Sequence, residues 1–201
     1  MVKPPQYLKW LYPGVTWNIK TAEKVLYLTF DDGPIPEVTP LVLDLLQQFD
    51  AKATFFCIGD NVQKHPTIFK EVLAAGHRIG NHTFHHYNAW KVSQQTFMND
   101  VEEAKKIIDS NLFRPPYGKL TPMHIRKLKK DFKIIMWDVI SCDFDTKVDK
   151  ETVYQNVINN ATNGSIIVFH DSLKASPSLL HTLPKVLQYF TNHGFKFKSL
   201  D

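Results

Sequence analysis

Short apolar runs alternate with amphipathic stretches along nearly the whole chain. The runs at 25–31, 53–58, 77–80, 112–114, 133–139, 165–170 and 195–199 are rich in β-branched and aromatic residues. Near-continuous apolar runs of this length predict strands covered on both faces. Between them, apolar residues recur at helical spacing over 39–49, 66–75, 93–109, 121–130, 148–162 and 178–192. Ser93 and the pair Thr121-Pro122 supply N-terminal helix signals, and Gly76, Gly164 and Gly194 stand where left-handed caps end helices. Residues 1–23 form a lead-in that carries prolines and aromatics.

Strict strand–helix alternation predicts a parallel sheet, either doubly wound or closed towards a barrel. A full eight-unit barrel needs about 250 residues. With 201 residues, a barrel here would be short or incomplete. Either architecture places chemistry at the carboxyl ends of its strands.

Composition narrows the class. Hydrophobic residues make up 43% and charged residues 22%, which excludes a disordered chain. The net charge is only +4, and the most basic stretch, Arg126 to Lys130, reads as a solvated helix face, so no nucleic-acid partner is expected. No run approaches the ~18 apolar residues of a membrane span. The first residues lack an export signal, so the chain is expected to be cytoplasmic unless a leader was removed. Two cysteines, Cys57 and Cys142, exclude a disulfide framework and read as small core residues.

The strand ends carry the chemistry. The first ends in Phe30-Asp31-Asp32-Gly33-Pro34, two acids ahead of a breaker. Neighbours in an extended segment face opposite sides, so the two need not share a role. The third strand runs into Asn81-His82-Thr83-Phe84-His85-His86. On a helical turn His82 and His86 would share a face and could hold one metal; His82 and His85 are the rival pair. Asp31 or Asp32 would complete the ligand set. Two histidines and one acid leave coordination positions open, as in a catalytic zinc site, and would also hold Fe(II). The fourth strand ends in Arg114-Pro115-Pro116-Tyr117-Gly118, and the fifth runs on through Asp138, Asp143 and Asp145, whose facing the alternation leaves open. The sixth ends in Phe169-His170-Asp171. A cation, a spare carboxylate and a histidine are the parts needed to hydrolyse an amide or ester. No Gly-rich phosphate loop and no G-x-S-x-G elbow is present.

The ordered motifs Thr29–Pro34, His82–His86, Arg114–Gly118, Asp143-Phe144 and Ile167–His170 resemble the polysaccharide deacetylase family (NodB homology domain, carbohydrate esterase family 4). The resemblance implies a distorted or incomplete (β/α) barrel of about seven parallel strands, with residues 24–201 as the catalytic domain. It implies a metal-dependent hydrolase of carbon–nitrogen bonds other than peptide bonds. Such an enzyme removes acetyl groups from N-acetylglucosamine-containing glycans such as peptidoglycan or chitin oligomers. It implies one divalent cation, zinc first and Co, Mn, Ni or Fe as alternatives, held by Asp32, His82 and His86, with His85 a bystander. Asp31 is then the base, Arg114 its orienting partner, His170 the acid and Asp143 the carboxylate behind it. Tyr117 would offer its N–H to the oxyanion, and Pro116, Ile167 and Phe144 would line the substrate pocket.

The fourth motif departs from the family pattern: Ile140 stands where its first acid belongs, and Phe144 replaces Trp. A glycan-binding module with a decayed site is the alternative this raises. A non-haem iron oxygenase fits the ligand set but not the strand–helix alternation. The sequence leaves the oligomeric state open.

Overall fold

The computed structural model describes residues 2–201. Helix α1 (Gln6–Leu11) precedes β1 (Val25–Asp31), α2 (Thr39–Gln48) and β2 (Ala53–Cys57). Then come α3 (Gly59–Lys64), α4 (Pro66–Ala74), β3 (Arg78–Asn81) and α5 (Gln94–Lys105). The strand β4 (Leu112–Phe113) leads through a 3-10 turn to α6 (Pro122–Leu128), β5 (Lys133–Ile134) and β6 (Val139–Ile140). The chain closes with α7 (Lys150–Ile158), β7 (Ile166–His170), α8 (Ser176–Asn192) and β8 (Lys196–Phe197).

Seven strands lie in the order β5-β4-β3-β2-β1-β7-β6, all parallel, and β8 pairs with the start of β1. The outermost strands β5 and β6 are joined by residues 135–138 alone. An extended chain advances at most about 3.6 Å per residue, so the sheet has to curl until its edges nearly meet. The lead-in occupies the remaining gap: Thr16 bridges Ile135 and Asn18 bridges Ser165. The result is a curled half-barrel of seven parallel strands.

The single strand expected over 133–139 is divided, because its backbone partners change within a few residues. Ile135 N–H donates to Phe113 beside β4, Met136 N–H to Thr16 of the lead-in, and Asp138 N–H to Ile166 of β7. Helices α1 and α3 were not legible, being six residues each with little apolar period. The caps expected at Ser93 and Thr121 are present, each side chain accepting from the N–H three residues on. Gly76, Gly164 and Gly194 adopt φ of 76°, 78° and 76°.

Strand alternation sorts the interior into layers. Leu26, Leu28, Phe30, Phe55 and Phe169 pack outward against Val42, Leu46, Leu183 and Leu187 of the helices. Each fully buried Leu or Phe contributes roughly 1.5–3 kcal/mol. The inward face is more polar. Arg114, wholly buried, lies 4.1 Å from the Phe56 ring centre and beside Thr29 and Asp31.

Candidate active site

Asp31 closes β1 and is in register with Phe56 of β2 and His170 of β7. Its Oδ1 accepts from Arg114 Nη1 at 2.6 Å. Arg114 also donates to Thr29 Oγ1 at 2.7 Å and to the carbonyls of Met136 at 3.0 Å and Ile135 at 3.4 Å, so each of its three nitrogens is engaged. Burial lowers the pKa of Arg114, and the Asp31 carboxylate opposes that shift, so the guanidinium stays charged. A buried pair this fully hydrogen-bonded fixes the carboxylate's direction.

Asp32 follows in a left-handed conformation, φ 86°. Its turn is held from three sides. Asn61 Nδ2 donates to its carbonyl at 2.7 Å, and Gly33 N–H donates to Asp171 Oδ1 at 3.0 Å. Asp171 N–H donates to Asp31 O at 3.0 Å, and Thr39 Oγ1 donates to Asp171 Oδ2 at 2.7 Å. A Cβ on Gly33 would stand 2.0 Å from Asp171 Oδ2, so only glycine permits this approach. Burial pushes the Asp171 carboxyl up to about 8, with the Asp32 charge adding to it and the Thr39 hydroxyl opposing.

The segment 82–86 is a loop, not the helical turn that the four-residue spacing suggested. Left-handed Thr83 (φ 64°) and His86 (φ 58°) fold it back and bring the His82 and His86 rings to 5.0 Å. His82 Nδ1 meets the Arg114 carbonyl at 2.7 Å. A carbonyl only accepts, so Nδ1 carries the proton and Nε2 presents its lone pair. Burial, with His86 adding to it, lowers His82 to about 3 and keeps it neutral. Burial likewise lowers His86.

Both Nε2 atoms face Asp32 Oδ1, at 3.8 Å for His82 and 3.3 Å for His86. That oxygen is buried and has no hydrogen-bond partner among the described residues. All three ligand atoms lie within 4.8 Å of one another. Donors about 2.0–2.1 Å from a tetrahedral zinc lie about 3.3 Å apart, so the trio fits a divalent cation. His85 is elsewhere: its Nδ1 pairs with Asp100 Oδ1 at 2.6 Å.

His170 ends β7. Its Nδ1 is 2.8 Å from Asp143 Oδ1, and its N–H donates to Asp143 Oδ2, also at 2.8 Å. Burial disfavours its charged form, but the Asp143 carboxylate, by charge and hydrogen bond, outweighs that and raises His170 to about 9. Phe144 stands edge-on to His170 at 4.9 Å. Of the acids beyond the fifth apolar run, Asp143 alone meets His170. Asp138 pairs with Lys3 and Lys9 at 3.7 and 3.4 Å, and Asp145 Oδ1 accepts from Lys147 N–H.

Tyr117, at φ 60°, is exposed and places its ring 4.8 Å from His86. Two expected pocket residues lie elsewhere. Pro116 is buried and stiffens the Tyr117 turn rather than offering a surface. Ile167 packs outward in the sheet–helix core, because it alternates with His170. Val168, two residues before His170 on the same strand face, is the apolar neighbour on the site's side.

Sequence reasoning missed Asn61, Asp100 and the role of Asp171. Asp100 left a signal: it interrupts the apolar face of α5 made by Phe97, Val101 and Ala104, and it is buried. Among the described residues, five of the six non-glycine residues at positive φ, namely Asp32, Thr83, His86, Tyr117 and Cys142, sit on loops at this one rim. Such conformations cost on the order of 1 kcal/mol or more each and concentrate at functional sites.

A family model of polysaccharide deacetylases matches residues 18–134. A peptidoglycan-N-acetylglucosamine deacetylase of Bacillus cereus is 36% identical over 190 residues, 91% of this chain and 89% of that one. The PgdA peptidoglycan-N-acetylglucosamine deacetylase of Listeria monocytogenes is 33% identical over 184 residues, 89% of this chain but 38% of the relative. The crystal structure of the Bc1960 peptidoglycan N-acetylglucosamine deacetylase superposes with a TM-score of 0.90 at 31% identity, covering 98% of this chain and 95% of that one.

Proposed function

The chain belongs to the polysaccharide deacetylase family and is a deacetylase, and from that premise we propose that it hydrolyses the acetamide of N-acetylglucosamine in peptidoglycan with a divalent cation held by Asp32, His82 and His86. The observation that carries the metal is the buried, unpartnered Asp32 Oδ1 facing the Nε2 atoms of two imidazoles. The names of the relatives support the substrate, and chitin-like oligomers share its reacting group.

When bound, the cation supplies Lewis acidity: it polarises a carbonyl and acidifies water. Asp31 is the base. Arg114 occupies its Oδ1, which leaves Oδ2 to take a proton from the attacking water. The Tyr117 N–H, turned by its left-handed backbone, donates to the oxygen that gains charge. His170 enters protonated, because Asp143 holds its Nδ1–H and keeps the ring charged. Its Nε2–H goes to the departing amine as the C–N bond breaks, and acetate and a free amine result. Phe144 borders the acid side of the cleft.

The test is acetate release from peptidoglycan and from acetylated chitooligosaccharides, together with metal analysis of the purified protein. Release that a chelator abolishes and a divalent cation restores is expected. Release indifferent to chelation would overturn the cation's role, and acetate from neither glycan would overturn the substrate.

A further inference from the structure

The charges of this chain are segregated. Residues 1–22, 81–99 and 110–130 hold ten Lys and Arg and no Asp or Glu, while the rest of the chain holds fourteen against all twenty acids. The three acid-free segments meet in space. The Tyr12 hydroxyl and the Trp90 indole both donate to the Leu120 carbonyl, at 3.4 and 3.1 Å. The Lys119 ammonium stands 4.2 Å from the Trp90 ring centre, and Lys129 Nζ donates to the Pro13 carbonyl just beyond α1. Lys3 and Lys9 are neutralised by Asp138, and Arg114 by Asp31. Asp131, the acid next after Lys130, pairs with Lys105. Beside these cations lies an unpartnered apolar stripe. Tyr7, Trp10 and Leu11 stand at i, i+3 and i+4 on one side of α1 and are 57%, 76% and 64% exposed. Met123, Arg126 and Lys127 share the exposed side of α6, with Lys130 one turn on, while Ile125 and Leu128 take the buried side.

We propose that this face docks on an anionic lipid bilayer, with Tyr7, Trp10 and Leu11 seated at headgroup level and Arg126, Lys127 and Lys130 meeting lipid phosphates. The inference goes beyond the deacetylase reading and does not depend on it. Charge complementarity and the stripe together choose the occupant. A soluble phosphate polymer would match the cations but leave Trp10 and Leu11 in water. An apolar protein surface would cover the stripe but leave the cations unmatched. A bilayer interface offers both kinds of contact at once: Trp and Tyr sit there by preference, and lysines and arginines beside them gain from the negative surface potential. Exposed apolar patches rimmed by polar groups mark such contact sites.

The experiment sediments the full chain with vesicles of phosphatidylglycerol and phosphatidylcholine, and with vesicles of phosphatidylcholine alone, at low and high salt. Binding to the anionic vesicles that salt weakens, with little binding to the neutral ones, is expected. Trp10→Ala should lower partitioning about tenfold. Arg126→Gln, Lys127→Gln and Lys130→Gln together should lower it about a hundredfold at low salt. Melting temperatures of these variants should match the wild type, since every altered side chain is exposed. Brominated lipid should quench the tryptophan fluorescence of the wild type, and Trp10→Phe should still bind but lose most of the quench. No binding to the anionic vesicles, or equal binding to the neutral ones, would overturn the proposal. So would a quench that survives in Trp10→Phe, because another surface would then be seated in the lipid. Soluble poly(glycerol phosphate) bound as tightly as vesicles, with no effect of Trp10→Ala, would give the face to a phosphate polymer instead. A dimer in solution that Trp10→Ala dissociates would give the stripe to a second copy of the chain and equally sink the bilayer.

Discussion

His82, His85 and His86 come from one five-residue run, yet they build two clusters of opposite character. Around Asp32, the His82 lone pair and the His86 Nε2 both face a buried carboxylate oxygen that accepts no hydrogen bond among the described residues. Around Asp100, both carboxylate oxygens have partners: Oδ2 accepts from the N–H groups of Phe84 and His85, and Oδ1 meets His85 Nδ1. Both groups pass a simple proximity test for a metal site, the second with Glu103. Only the first is left electrostatically incomplete. Closeness of ligand-type residues is common, whereas a buried acceptor without a donor is rare, and it is this that supports the proposed cation at the first cluster.

The sharpest break of this contrast is to remove one residue from each cluster. His82→Ala should strip the cation and cut acetate release by about 10⁴-fold or more, read by metal analysis and kcat/KM, because the Lewis-acid contribution goes with it. Retained metal and activity would put the cation elsewhere. Next in size, Asp31→Asn should lower kcat by about 10²–10⁴-fold while metal content stays at the wild-type level. Loss of metal in that variant would make Asp31 a ligand rather than the base.

Asp143→Asn tests the third group of the rim. With His170 raised to about 9, the alkaline limb of kcat/KM is expected no higher than about pH 9. Without the carboxylate the limb should move down in pH. A return to the ordinary value near 6.5 would cut the protonated share roughly thirtyfold at pH 8. The linkage has the same sign. The His170–Asp143 pair contributes stability that is complete below about pH 6.5 and is lost as pH rises through about 9. An unmoved limb would take the acid's role from His170.

The smallest effect belongs to the second cluster. His85→Ala leaves Asp100 Oδ1, buried, without its partner, which costs about 1–3 kcal/mol. The melting temperature should fall by a few degrees with metal content unchanged. A lower metal content would join the two clusters into one functional unit.

The alternation of apolar runs made the parallel sheet legible, since strands buried on both faces leave near-continuous apolar stretches. It also put Asp31, His82 and His170 at strand ends. It could not divide the run at 133–139, because an apolar stretch looks the same whether it pairs with one neighbour or changes three times. It could not detect α3, although Asn61 on that helix steadies Asp32. Ile167 and Pro116 show the same limit at single positions. Motif order brings a residue near a site, but strand parity and burial decide whether its side chain reaches it.

By itself the sequence determined the periodicity, the order of the elements and the residue types at the rim, because these follow from local spacing and side-chain chemistry. The family resemblance named His86 over His85 and Asp143 over Asp138 and Asp145; the tertiary structure alone decided how those side chains meet Asp32 and His170, and that Ile167 turns away from them. Those outcomes depend on left-handed residues, on register between strands distant in the chain, and on which buried oxygens find donors. No local pattern encodes them, because each is a property of two segments meeting.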